Sequence, residues 1–391
     1  MFERIKAELQ LIYSSKAQSN NGKRITYLDM VRGIAIFLVV LGHSGLIEHT
    51  WNIWLSTFHL PAFFLVSGML MELKKEEEQK ISKVVLHKIK GIMLPYAWFS
   101  LGALLVDLVQ ILRGKFPWEF IVEHIIQTLT LQGYSVLWFL PVLLLAEILM
   151  LVVLKLWNHF IKKKSTVALL AVMISILLAV GAFYGYQALA TTGITPFWLA
   201  ELRVLTKAVI VTALVGFGYL TGFMLENVQK AERQRKENLP KWIADLKPIG
   251  LLAGLCLAAI NILVLPYIQL MDLNNVNITN PLLYIGLGLT GSLGVLLICR
   301  SIPNIPPITF YGQNSLIVMC THINFYVLYA GMRLGQKFIV PLPGPDGLQF
   351  LLGSMAFAMF LEIPVILFIR IFLPFVIGQK YKKVKKTEKK Q

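Results

Sequence analysis

Residues 26–47 read TYLDMVRGIAIFLVVLGHSGLI, a stretch in which ten uncharged residues separate Arg32 from His43. A helix rises about 1.5 Å per residue and a hydrocarbon core is about 30 Å thick, so a run of this length crosses a bilayer once. The same test picks out ten segments, at roughly 26–47, 53–73, 92–112, 136–156, 166–187, 208–226, 249–268, 281–300, 308–330 and 349–376. Apolar residues make up 56% of the chain and charged ones only 15%, against about a quarter charged in an average globular domain, which excludes an ordinary soluble fold. The composition predicts an all-α polytopic membrane protein of about ten transmembrane helices. A basic segment at 1–24 precedes the membrane domain at 25–378, and a basic tail at 379–391 follows it. Phe2, Ile5, Leu9 and Ile12 recur at helical spacing and predict an interfacial helix ahead of the first span.

Positive charge gives an independent test, because cytoplasmic segments carry the excess of Lys and Arg. With an internal N-terminus, the cytoplasmic segments hold 29 of the 37 basic residues, while the opposite loops hold only Arg113, Lys115, Arg203, Lys207, Arg333 and Lys337. Both termini are therefore expected in the cytoplasm. The net charge of +16 is read as attraction to anionic membrane lipid, with no nucleic acid partner. Gly286, Gly288 and Gly291 spell G-x-G-x-x-G, but a dinucleotide fingerprint needs a strand before it. Inside an apolar helix these glycines, like Gly218 and Gly222, are expected to permit close helix packing. Cys256, Cys299 and Cys320 lie in apolar stretches and are read as packing residues.

Ionisable side chains inside a span are costly and mark function. Asp29 and Arg32 are three residues apart and share one helix side. Arg32 and His43 are eleven apart, which puts them on one face with an axial separation of about 16 Å. Both are expected to line a groove running from the cytoplasmic side toward the outer half. His59 on the second span reaches a similar depth from the other direction, near Pro61, and Ser67 and Gly68 permit close approach toward its inner end. Trp138 is expected near the outer end of the fourth span, Glu147 near its middle, and His322 in the outer half of the ninth. The pattern predicts a polar cluster around three histidines within the membrane.

Five segments carry a family resemblance: YLDMVRGIAIFLVVLGH (27–43), FHLPAFFLVSG (58–68), LPY (94–96), LWFLPVLLLAEI (137–148) and FYGQNSLIVMCTH (310–322). In this order they resemble the acyltransferase-3 family of membrane acyltransferases, in the branch related to fucose 4-O-acetylases. The resemblance implies about ten helices in a multi-pass protein of the cell membrane, in bacteria the plasma membrane. It also implies transfer of an acyl group, commonly acetyl from acetyl-CoA, to hydroxyls of cell-surface glycans. Arg32 and His43 match the functional Arg and His of the family, and Trp138 and His322 fall in its later motifs. Ahead of LPY, where many relatives carry R-x-x-R, this chain has His87, Lys88 and Lys90. Lysine offers a point charge there in place of a planar fork.

The residue chemistry suits that reaction on its own terms. Acyl-CoA is cytoplasmic and polyanionic, so its phosphates belong with Lys83, Lys88, Lys90 and Arg32, with Asp29 orienting or balancing Arg32. His43 then takes the proton of the attacking hydroxyl, or itself becomes acylated; both routes stay open. His59 or His322 holds the acceptor or steadies the oxyanion, Glu147 joins His43 and His322 as a catalytic candidate, and Ser67, Trp138, Asn314 and Ser315 shape the site. The donor is a substrate, and no bound cofactor or metal is expected. Two other classes compete. A secondary transporter also uses midplane ionisable groups, but the first five spans do not match the last five as its internal repeat would require. A metal site of His43, His49 and His59 lacks ligand spacing, because His49 falls in an outer loop. Trp51, Trp54, Trp118, Tyr134 and Trp198 fit interfacial anchors better than sugar platforms.

Overall fold

The computed structural model describes residues 25–238, 247–339 and 347–379. The expected interfacial helix and the tail beyond Gln379 lie outside them. In chain order the helices are α1 (Thr26–His43), α2 (His49–Leu73), α3 (Ile81–Lys88), α4 (Leu94–Leu112), α5 (Glu119–Leu129), α6 (Phe139–Phe160) and α7 (Lys164–Ala190). They continue as α8 (Pro196–Asn238), α9 (Lys247–Leu263), α10 (Pro281–Ser301), α11 (Pro306–Gln313), α12 (Ser315–Thr321), α13 (Val327–Phe338) and α14 (Gly347–Phe372). A π-helical turn, Ile89–Met93, joins α3 to α4 as one rod. Nine helical stretches among the described residues are long and apolar enough to cross a membrane. Rows such as Leu101, Leu105, Val109 and Leu112 on α4, and Leu169, Met173 and Leu177 on α7, stay exposed three or four residues apart. Rows of this kind are the lipid face of a membrane helix.

The expected span at 308–330 is not one helix, so ten continuous spans become nine. Asn314 ends α11: its side-chain amide donates to the Phe310 carbonyl at 2.7 Å, and its own oxygen accepts from Arg370 Nη1 of α14 at 3.0 Å. A second break follows α12, where Tyr326 adopts φ +58° and the Leu328 N–H donates to the His322 carbonyl at 2.9 Å. Irregular backbone at membrane depth is tolerated where protein surrounds it or a cavity adjoins it. Both conditions hold here, since Thr321 and His322 are buried while Gln313 and Ser315 border a cavity.

Two charge assignments also change. Lys207, expected on an outer loop, is 2% exposed inside α8. Lys83 and Lys88 belong to α3 and Lys90 to the π turn, so this basic segment, expected on the cytoplasmic side, is helix.

Close backbone approaches bind the bundle. On α2, a Cβ at Gly68 would sit 1.9 Å from the Val215 carbonyl oxygen, and one at Gly218 of α8 would sit 2.1 Å from that of Leu65. Gly288 and Gly291 of α10 instead make room for the side chains of Pro61 and Phe58 of α2, whereas Gly286 faces open space. Helices α1 and α11 touch through Gly33 against Ile308 and Gly312 against Asp29. The loop between α9 and α10 is a folded cap: the Met271 N–H donates to Ser56 Oγ of α2 at 3.1 Å, and Met271, Leu273 and Val276 are buried. Short α5 is tied to α4 by His124 Nδ1, 2.8 Å from Asp107 Oδ2, with the Tyr134 ring stacked on the imidazole at 3.7 Å.

At Gly312 an added methyl would fall 1.7 Å from the Asp29 carbonyl oxygen, so α1 and α11 would have to part. Gly312→Ala should lower the unfolding temperature in detergent by the equivalent of about 1–3 kcal/mol, the usual cost of overpacking. Gly286→Ala should leave it unchanged. Equal unfolding temperatures for the two variants would refute this account of the α1–α11 contact.

Candidate active site

The polar face of α1 ends in two cavities. Arg32 lines one of about 320 Å³ and His43 lines another of about 560 Å³. The Arg32 cavity is bordered by α2, α3, α6, α11 and α12 and contains Ser67, Lys88, Glu147 and Ser315 among its walls. The His43 cavity contains His59 and Trp138, and its roof is the Met271–Asn274 part of the cap loop.

His43 contacts His322 and shares its cavity with His59, and one device fixes all three rings. Each ring Nδ1 faces the carbonyl four residues earlier on its own helix: His43 and Val39 at 2.9 Å, His322 and Val318 at 2.8 Å, and His59 with Leu55. A carbonyl can only accept, so we assign the ring proton to Nδ1 in every case. His322 Nε2 therefore carries a lone pair, and it lies 3.2 Å from His43 Nδ1. His43 Nδ1–H is shared between the Val39 carbonyl and that lone pair. Its remaining nitrogen, Nε2, is left basic on a ring that lines the cavity. His322 is fully buried behind His43, with ring centroids 5.1 Å apart, so it contacts His43 without reaching the cavity itself.

Other expected site residues are distributed differently. Glu147 lies in the Arg32 cavity, apart from the histidines. It accepts from Lys88 Nζ at 3.0 Å and from Ser67 Oγ, while Glu76 forms an ion pair with the same Lys88 at 2.6 Å. Lys88 is thus matched by two carboxylates, and the other cationic side chains on that wall are Arg32 and Lys74, with His87 beside them. Lys90 is exposed and lines neither cavity. Asp29 is buried beside α11, where Gln313 Nε2 donates to it at 3.4 Å. Asn314 is committed to Arg370, whereas its neighbour Ser315 faces the Arg32 cavity.

The motifs gave no sign of the cap loop. Asp272 and Asn274 line the His43 cavity with Asn52 and Ser56 of α2. Lys207 supports this wall from behind, donating to Asn274 Oδ1 at 3.0 Å and standing 4.7 Å over the Trp138 ring. A run of three asparagines and an aspartate in an otherwise apolar region, MDLNNVN at 271–277, was the available signal. Glu362 of α14 is also 1% exposed and accepts from Thr321 Oγ1 at 2.9 Å, directly beside His322 in sequence.

Removing one member of a buried ion pair strands the other, at a cost of about 3–5 kcal/mol. Glu147→Gln should therefore destabilise the protein less than Lys88→Met, because Lys88 keeps Glu76 whereas Lys88→Met strands two carboxylates. Thermal unfolding of the two purified variants measures this; the reverse order would show that the network is not held by Lys88.

A family model described as "Acyltransferase domain" matches residues 25–378, which include both cavities. No curated protein and no solved structure matches the chain. With nearly the whole chain covered by one model, and nine helical stretches among the described residues long and apolar enough to span a bilayer, the protein belongs to this acyltransferase family and is a multi-pass membrane protein.

Proposed function

We propose that the protein transfers an acyl group, acetyl in the first instance, from acyl-CoA to a hydroxyl of a cell-surface or exported glycan, as the resemblance to fucose 4-O-acetylases implies. One observation carries this reading: a single helix presents a guanidinium to one cavity and a basic imidazole nitrogen to another. Arg32, with Lys74, supplies positive charge for the phosphates of CoA, and His87 adds a ring nitrogen that can donate to them. His43 faces a cavity whose walls offer a Trp ring, amides and a carboxylate, the usual groups for a polyhydroxylated ligand.

In the transfer step the acceptor oxygen attacks the thioester carbonyl carbon while its proton passes to His43 Nε2. The positive charge that forms on His43 is balanced through Nδ1–H by the lone pair of His322 Nε2. Collapse of the tetrahedral oxyanion breaks the C–S bond, and the departing thiolate recovers the proton from His43. An ester and free CoA thiol result, and His43 is regenerated.

The protein sits in the cell membrane, against lipid on its outer rows, with both termini in the cytoplasm. The excess of Lys and Arg in the segments beside α1, α8 and α14 supports that orientation. The Arg32 cavity then opens toward cytoplasmic acyl-CoA, and the His43 cavity toward an external acceptor.

His43→Ala should lower transfer by about 10²–10⁴-fold, the usual worth of a positioned acid–base group, while the protein still inserts and folds. Near-normal turnover by the purified variant would remove His43 from the mechanism. Sealed, oriented vesicles should modify an external glycan only when acetyl-CoA is supplied on the face carrying residues 380–391. Equal activity with donor and glycan confined to that one face would place the acceptor in the cytoplasm.

A further inference from the structure

Phe139 and Met319 line both cavities, and no other lining residue is common to the two. Both side chains are otherwise buried, at 5% and 4% exposure, so they form the partition between the Arg32 side and the His43 side. The two differ in freedom. Phe139 stacks on Phe64 with centroids 5.1 Å apart and meets Phe63 edge-on at 5.7 Å, which holds its ring from two directions. Met319 is unbranched, with several rotatable side-chain bonds, and sits on the seven-residue α12 between the Asn314 break and His322.

From this arrangement we infer that Phe139 and Met319 select the donor by acyl size, Met319 swinging aside for a short acyl thioester while Phe139 stays as the fixed wall. The inference rests on the acyl-transfer reading above. A donor whose phosphates lie near Arg32 reaches His43 only by passing its acyl end between these two residues. The arm of CoA behind the thioester is slender, so the acyl group is the part that the partition gauges. Each added methylene must displace close-packed atoms of Phe139, Met319 and their neighbours, which penalises a four-carbon acyl group against a two-carbon one.

The test compares acetyl-CoA with butyryl-CoA as donors for the full chain in proteoliposomes, taking kcat/KM for wild type, Met319→Ala and Met319→Leu. Wild type should prefer acetyl. Met319→Ala should raise the butyryl-to-acetyl ratio about tenfold or more, the worth of a methylene in a tight apolar pocket. Met319→Leu, of similar volume, should keep the wild-type ratio. An unchanged ratio in Met319→Ala, with acetyl transfer still measured, overturns the inference. Inertness of wild type toward every acyl-CoA would instead defeat the functional reading, and the partition is then judged by labelling. Ser67→Cys, in the Arg32 cavity, is exposed to a small membrane-impermeant thiol reagent on the face bearing Gly45, and modification is read by peptide mass at position 67. Faster modification with Ala at 319 than with Met supports the partition; equal rates refute it.

Discussion

The backbone contact between α1 and α11 is the constraint on which the site depends. Gly33 and Gly312 each place a bare Cα against a carbonyl of the other helix, so the two axes come closer than any side chain would allow. Only at that separation does the chain leaving α11 stay within reach of the polar face of α1. The Asn314 break then redirects it, α12 runs alongside α1, and His322 arrives at His43. A wider spacing would leave each histidine correctly placed on its own helix and out of reach of the other.

The second organising element is the use of main-chain carbonyls to hold imidazoles. In hydrocarbon an unpaired ring N–H is expensive, and a helix offers its own carbonyl four residues back as an acceptor that needs no partner from elsewhere. His43, His59 and His322 all use it. The consequence is chemical as well as structural, because a proton committed at Nδ1 makes Nε2 the basic atom in each ring. The Arg32 cavity is arranged on the opposite plan, with fixed charges matched in a network of Lys88, Glu76, Glu147 and Ser67.

Much of this was legible in the chain, for identifiable reasons. Helix existence followed from apolar length, and the shared face of Arg32 and His43 followed from their spacing of eleven. The depth argument set His59 level with His43 and Trp138 near the outer end of its span, and all three line one cavity. The segment 308–330 misled because its apolar content satisfies a length test, while Gly312 and Asn314 act through tertiary partners, Asp29 and Arg370, that no local pattern contains. Lys207 was misread for a related reason: α8 begins at Pro196, well ahead of its most apolar stretch, so a charge near the edge of the apolar run is still inside the helix. Glu362 lies within an expected span, but its connection to the site passes through Thr321, a residue that carries no charge to attract notice.

The π-helical turn at Ile89–Met93 has a bearing on how this chain is compared with others. Such a turn holds one residue more than an α-helical turn, and each residue rotates a helix by about 100°. Lys88 therefore faces its cavity, and Tyr96 buries its hydroxyl against the Thr128 carbonyl at 2.8 Å, in a relation that an unbroken helix of the same sequence would not produce. Counting back from LPY in a chain whose helix lacks the turn lands one residue away from the spatial position that Lys88 occupies. A gap of one residue between the basic stretch and LPY is the alignment that respects space, and basic residues that look mismatched by position become candidates for equivalence.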